Sequence, residues 1–287
     1  MNSFAAGLIL ALLAQEEEAV RLLREKGAKL VESKGVVTSV EAGDVSKWTA
    51  DDFQRLGRLS RLRSLSMDVG LTDATAVHLA GLAELESLQT NRSEMTDDGM
   101  KALLPLKKLK VLKLFHPGKA FTGTGLAHLA ELPDLERVTV AGSLQFGDEG
   151  MAAVAKLTRL KEFRTWHAGQ TIEGVKKLRE LKNLKQLTLG QRLAYKPPTT
   201  VSDETMAVLA ELTTLESLQL EEARLSFDAL KQLKSLPALK SLLLQGIDLP
   251  ESDVDRLRAE LPKVDVKATK PTEAYQKRIQ ALFGAKP

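Results

Sequence analysis

The chain has no cysteine, which excludes a disulfide scaffold, a thiolate zinc site, an iron–sulfur cluster and a cysteine nucleophile. Aromatic residues are few, with eight Phe, two Trp and two Tyr among 287 residues. It also lacks a GxSxG elbow, a phosphate-binding loop and an HExxH motif. The chain therefore reads as non-enzymatic, with no cofactor and no metal. Charge of one sign is not dominant either: 41 Lys and Arg face 38 Asp and Glu, and a net charge of +3 gives no case for nucleic acid. The run from Phe4 to Ala14 is apolar but only eleven residues long. A helix needs about 20 to cross a bilayer, so no membrane span is expected.

That run has two readings. Its length suits the apolar region of an export signal, covering residues 1–14, which points to an exported or periplasmic protein. No Lys or Arg precedes it, however, and Leu12 stands where cleavage after Ala14 wants a small residue. The alternative is a cytoplasmic protein in which the run begins a capping helix that continues through Glu16 to Leu23.

What the chain has in abundance is leucine. The 52 leucines against 12 aromatics imply a repetitive aliphatic core. A frame of LxxLxxLxL begins at Leu59-Leu62-Leu65-Met67 and recurs to Leu236-Leu239-Leu242-Leu244, with starts 23, 24, 26, 25, 24, 31 and 24 residues apart. Eight units at that spacing are a repeat architecture. Within a unit the LxL end alternates as a half-buried strand does. A turn and a helical stretch follow, as in Met100-Leu103-Leu104, with apolar residues three and four apart. The turn ends in a hydroxyl residue and an acid, as in Thr72-Asp73, Thr96-Asp97 and Ser202-Asp203. The hydroxyl suits a helix cap and the carboxylate suits the positive end of the helix dipole. Thr49-Ala50-Asp51-Asp52 does the same for a degenerate unit whose strand is Val37 to Ala42.

Leu71-Thr72-Asp73, Met95-Thr96-Asp97-Asp98-Gly99-Met100 and the stretch from Phe121 to Leu129 resemble bacterial leucine-rich repeats. More narrowly, they are similar to the T-D-x-G-L-x-x-L type abundant in planctomycete-like bacteria, related to ribonuclease-inhibitor-like horseshoes. The resemblance covers residues 26–266; Thr171-Ile172-Glu173-Gly174 lacks the Asp, and Leu225-Ser226-Phe227-Asp228 shifts it. It implies an α/β leucine-rich-repeat solenoid, a horseshoe with a parallel concave sheet and outer helices. One unit cannot bury its own apolar face, so neighbours stack and the ends need covers. The solenoid is expected over residues 15–266, with a capping helix from Glu16 to Lys29 ended by Gly27. A shortened last strand runs from Leu261 to Val266, and the capping segment 267–287 holds a helix from Thr272 to Phe283. Its Tyr275, Ile279, Leu282 and Phe283 are available to seal the core.

Residues flanking the buried LxL positions project from the concave face. The early units offer small polar groups such as Ser64, Ser87 and Gln89, and the middle units offer Lys113, Phe115, Arg137, Thr139, Ala141, Arg164 and Trp166. Thr188 and Gly190 are expected on the same face. Phe53, Phe121, Phe146 and Phe163 fall at core positions of the repeat, whereas Phe115 and Trp166 do not. An exposed Trp beside Arg is the usual material of a binding hot spot. His116 and His167 each follow a strand directly, with no carboxylate at the matching place between them to complete a metal site. The acidic pairs at helix starts are explained by capping. The interval of 31 residues holds an insertion, Gln191 to Thr200, whose Tyr195 is a further binding candidate. Charge is segregated: residues 101–119 hold six lysines and no acid, whereas residues 201–228 hold seven acids and one base, Arg224. The expected function is a protein-binding scaffold that recognises its partner through Lys113, Phe115, His116, Arg137, Arg164, Trp166, His167 and Tyr195. The alternative is a cell-envelope module that binds carbohydrate or another polymer on the same aromatic residues.

Overall fold

The computed structural model describes residues 3–191 and 200–284, with Tyr195 outside them. It divides into two compact units, Met1–Phe121 with His128–Leu135 and Thr122–Ala127 with Glu136–Pro287.

In the first unit helix α1 (Ser3–Glu25) leads into β1 (Lys29–Ser33) and β2 (Val36–Glu41). Then follow α2 (Ala50–Gly57), β3 (Ser64–Met67), α3 (Asp73–Ala76), β4 (Ser87–Asn91) and β5 (Val111–Phe115). The first two strands pair antiparallel; β2 to β5 pair in parallel, each with its successor. The expected capping helix thus ends earlier than Lys29. The chain turns at Gly27, where φ is +88°, and Lys29 opens a strand. Four of the five β1 residues are exposed, so no buried face marks this strand in the sequence.

The second unit runs β6 (Arg137–Ala141), α4 (Asp148–Val154), β7 (Glu162–Trp166), α5 (Ile172–Lys177), β8 (Gln186–Gly190), α6 (Asp203–Leu209) and β9 (Ser217–Glu221). It continues with α7 (Phe227–Lys231), β10 (Ser241–Gln245), α8 (Glu251–Glu260), β11 (Asp265–Thr269) and α9 (Glu273–Phe283). Here every strand pairs in parallel with the next. The fold is an α/β leucine-rich-repeat solenoid.

Stacked leucine columns hold each unit together. Leu59, Leu62, Leu65 and Met67 are 0–2% exposed, and their successors in every repeat are buried likewise. Each buried leucine contributes about 1.5–3 kcal/mol against the exposed chain. Phe53, Phe121, Phe146 and Phe163 complete the core as the repeat predicts, at 1% exposure or less. Several of the helical segments are 3-10 turns, such as Val77–Gly81 and Asp98–Leu103, because little chain is left between one turn and the next leucine.

The Thr-Asp-x-Gly phrase has a specific physical cause. Thr72 caps its own helix, its side chain accepting from the Thr75 amide. The carboxylate of Asp73 reaches into the next repeat, accepting from the Thr96 amide at 2.8 Å and the Thr96 hydroxyl at 2.7 Å. A Cβ on Gly99 would lie 1.8 Å from that Asp73 oxygen, so the glycine makes room for the neighbouring carboxylate. The pattern repeats in the second unit. Asp148 accepts from the Thr171 amide and hydroxyl, both at 2.7 Å, and a Cβ on Gly174 would lie 2.5 Å from its carboxylate. Where the Asp is missing at Ala50 and Ile172, the next repeat carries Thr75 or Thr205 in place of the glycine. Where it is missing at Gly123 the next repeat keeps Gly150, whose Cβ would instead meet the Phe146 ring and the Thr122 carbonyl at 2.7 Å.

Candidate functional site

Helices cover one face of each sheet and leave the other open, so each strand alternates buried and open positions. Directly after the open end of a strand the chain turns through left-handed backbone. Glycine serves at two such places, with φ of +74° at Gly142 and +63° at Gly246. At four others it does not: Arg92, His116, His167 and Glu222 have φ of +54°, +45°, +52° and +57°. Each costs about 1 kcal/mol or more for an L side chain. The ladder helps to hold them, for the Arg92 amide donates to the Phe115 carbonyl at 2.8 Å and the Glu222 amide to the Gln245 carbonyl at 2.9 Å. The result in each unit is a pair of large polar side chains at the strand ends, Arg92 and His116 in the first and His167 and Glu222 in the second.

In the first unit these ends are tied by neutral and charged hydrogen bonds. Asn91 Nδ2 donates to Asp68 Oδ1 at 2.6 Å, and Asn91 Oδ1 lies 3.0 Å from His116 Nδ1. Arg92 closes the group with a 3.0 Å bond to Asp68 Oδ2. Beside them Phe115 and Lys113 are partly exposed on β5, Lys113 in register with Gln89 and Phe115 with Asn91. His116 is exposed.

The second unit concentrates more chemistry. Trp166 is partly exposed at the end of β7, in register with Ala141, and Arg164 on the same strand holds its guanidinium carbon 5.6 Å from the ring centroid. That spacing is within cation–π range. His167 Nε2 lies 3.3 Å from both carboxylate oxygens of Glu222, two strands away. Tyr275 reaches Glu222 from α9 through a hydrogen bond that raises the phenol pKa, and burial adds to the rise. Next to it, burial pushes the Glu221 carboxyl above its ordinary range, and the Glu222 charge adds to the effect against the hydrogen bond from Gln219. Gln219 Nε2 donates to Glu221 Oε1 at 2.5 Å. Arg137 opens β6, exposed, in register with Glu162.

Several open-face residues do not reach solvent as the alternation predicts. Thr139 and Thr188 are 5% exposed and Ala141 is 1% exposed, and Gly190 is buried. Thr139 and Thr188 flank Arg164 in the strand register, and Ala141 flanks Trp166. The long side chains cover the short ones on either side. The surface is therefore a few large groups set over small ones.

The charge bands are in good part structural. Of the six lysines in 101–119, Lys108 and Lys110 pair with Glu84 and Glu86 of the preceding repeat and Lys101 pairs with Asp98. In the acidic stretch Glu216 takes both Lys185 and Lys240, at 2.8 and 2.6 Å. Among the described residues no group of three or more His, Asp or Glu is arranged to hold a metal ion.

Sequence reasoning passed over Glu222 and assigned Tyr275 to the core. The repeat register contained a signal for the first. Arg92, His116, Gly142, His167, Glu222 and Gly246 occupy one column of it, and the two glycines mark that column as one needing positive φ.

No protein-family model matches the sequence, and no curated protein matches it. Among solved structures the chain is similar to internalin C2 from Listeria monocytogenes, at 18% identity over 77% of this chain and 84% of that one, with a TM-score of 0.45.

Proposed function

We propose that the chain is a non-enzymatic scaffold that binds a protein partner on the open face of its sheet. In the second unit Trp166 is the apolar anchor, with Arg164, Arg137 and His167 as charged or polar donors; in the first unit Phe115, Lys113 and His116 have the same roles. The observation that carries this reading is Trp166: a tryptophan partly exposed on the sheet, with a guanidinium against its ring and a short residue alongside. Large aromatic and arginine groups on a rigid frame lose little entropy on docking. The test is photocrosslinking in the native cell from a benzophenone amino acid placed at position 166, at 115, or at the exposed outer position Val77. Protein adducts from 166 and 115 but not from 77 are expected; adducts from 77 alone would sink the reading.

A carbohydrate or polymer ligand has one observation in its favour. Phe115 stands beside amide and hydroxyl groups, in strand register with Asn91, while Gln89 on the same strand as Asn91 is in register with Ser66. In that case the crosslinker at 115 yields glycan adducts in place of protein. We further propose that the chain is exported, on the uncharged stretch from Met1 to Gln15. Sequencing the N-terminus of the mature protein tests this, since a start after Ala14 is expected and a start at Met1 would contradict it. No helix among the described residues is long and apolar enough to cross a membrane.

A further inference from the structure

Two adjacent carboxylates stand beside Trp166, and among the described residues neither has a lysine or arginine within ion-pair distance; Arg164 acts on Glu221 only from farther away. Among the described residues Glu221 accepts from Gln219 alone and makes no ion pair within 4.0 Å. Glu222, with 16% of its side chain exposed, faces the Tyr275 hydroxyl and the His167 imidazole. Other carboxylates of this unit are treated differently: Glu216 takes two lysines and Asp248 takes Arg224 at 2.9 Å. A carboxylate partly withdrawn from water with no lysine or arginine at ion-pair distance gains when such a cation meets it.

The aromatic ring is placed to share that cation. Gly190 lies between Trp166 and Glu221, and a Cβ on it would sit 2.8 Å from the Trp166 Cβ and 3.0 Å from the Glu221 Cβ. Ring and carboxylate therefore stand side by side over a residue with no side chain. Arg164 shows that this ring accepts a guanidinium, at 5.6 Å, while staying beyond ion-pair distance of Glu221. An aromatic face next to carboxylate oxygens is the pair of surfaces that a guanidinium or ammonium group satisfies together.

We infer that the open face of the second unit carries a subsite for one cationic side chain, arginine or lysine, of a protein partner, seated between the Trp166 ring and the Glu221 and Glu222 carboxylates. This rests on the open face being a binding surface and adds the chemistry of the group it takes. Arginine fits better than lysine, because its planar fork stacks on the ring while donating to a carboxylate.

The test uses the full chain carrying Trp48→Phe, which leaves Trp166 as the only indole. Its emission is followed at low salt while acetyl-Gly-Arg-Gly-amide is added, with the Lys and Gln tripeptides in parallel. The Arg and Lys peptides produce a saturable change and the Gln peptide none. Glu221→Gln weakens the response by about tenfold, the value of one charged hydrogen bond, and Glu221→Gln/Glu222→Gln abolishes it. Glutamine keeps an acceptor for Gln219 and Tyr275, and matching far-UV circular dichroism verifies the fold. Should the double variant unfold, Glu221→Gln alone decides the matter. Silence toward the cationic peptides, or an unchanged response in Glu221→Gln, overturns the subsite. If position 166 still crosslinks a protein in that event, the binding surface stands and only its cation preference is wrong; if crosslinking fails as well, both are wrong.

Discussion

Replacing Gly99 by alanine reverses the sign that helix propensity predicts. Alanine in an α-helix interior is favoured over glycine by about 1 kcal/mol, an upper bound for the second residue of the 3-10 turn Asp98–Leu103, so propensity alone calls the change stabilising. The structure calls it destabilising. The new Cβ would lie 1.8 Å from Asp73 Oδ1 and 2.5 Å from its Cγ, so the carboxylate has to swing away. It then gives up its bonds to the Thr96 amide and hydroxyl, at 2.8 and 2.7 Å. The protein contains its own version of the relaxed state. At the equivalent place Ala229 follows Asp203, and the carboxylate keeps one bond, from the Ser226 amide at 2.9 Å. The loss is therefore one to two bonds to a charged group, about 1.5–4 kcal/mol. Against the propensity gain the net destabilisation is about 0.5–3 kcal/mol. In an Asp73→Ala background those bonds are already gone, and Gly99→Ala becomes neutral or stabilising by up to about 1 kcal/mol. Urea unfolding of the four proteins gives the coupling directly, and about 1.5–4 kcal/mol is expected. A Gly99→Ala protein as stable as the parent, or the same effect in both backgrounds, would refute the reasoning.

Two further outcomes follow from the carboxylates. Asp52 is 2% exposed and its pKa is lowered: burial pushes it up, but the Thr49 amide and Lys26 bonds outweigh that. Its folded pKa lies below its unfolded one, so its stabilisation is present above pH 4 or so and fades as pH falls through the depressed value. Asp52→Asn removes that dependence and costs about 1–3 kcal/mol at neutral pH; acid titrations of the two proteins that stay parallel would contradict it. Glu216, between Lys185 and Lys240, has its pKa lowered to about 2. Carboxyl NMR shifts should show it ionised throughout the range where ordinary glutamates titrate, and a midpoint near 4.3 would be inconsistent with the bridge.

The repeat was legible because its cause is local. One buried column per leucine of the frame, plus a cap per turn, recurs every 23 to 31 residues, and each position reports its own burial. The first strand was not legible, since Lys29–Ser33 has no buried face to impose alternation. The open face was legible as a face but not as a surface. Whether Thr188 meets solvent depends on the length of Arg164 on the next strand, which is a contact between repeats. Glu222 was missed for the same kind of reason. Its partners His167 and Tyr275 lie 55 and 53 positions away in the chain, one on a strand end and one on α9. The aspartate of the Thr-Asp phrase was read as belonging to its own helix, and only the stacked neighbour shows that it also caps the next.

The most direct test of the binding surface is the affinity of a partner identified by crosslinking, measured by calorimetry for the parent protein, Trp166→Ala and the outer-surface control Val77→Ala. Truncating a hot-spot tryptophan costs about 2 kcal/mol or more, so Trp166→Ala should weaken binding by about thirtyfold while Val77→Ala leaves it unchanged. Equal affinity for the parent and Trp166→Ala would contradict the account.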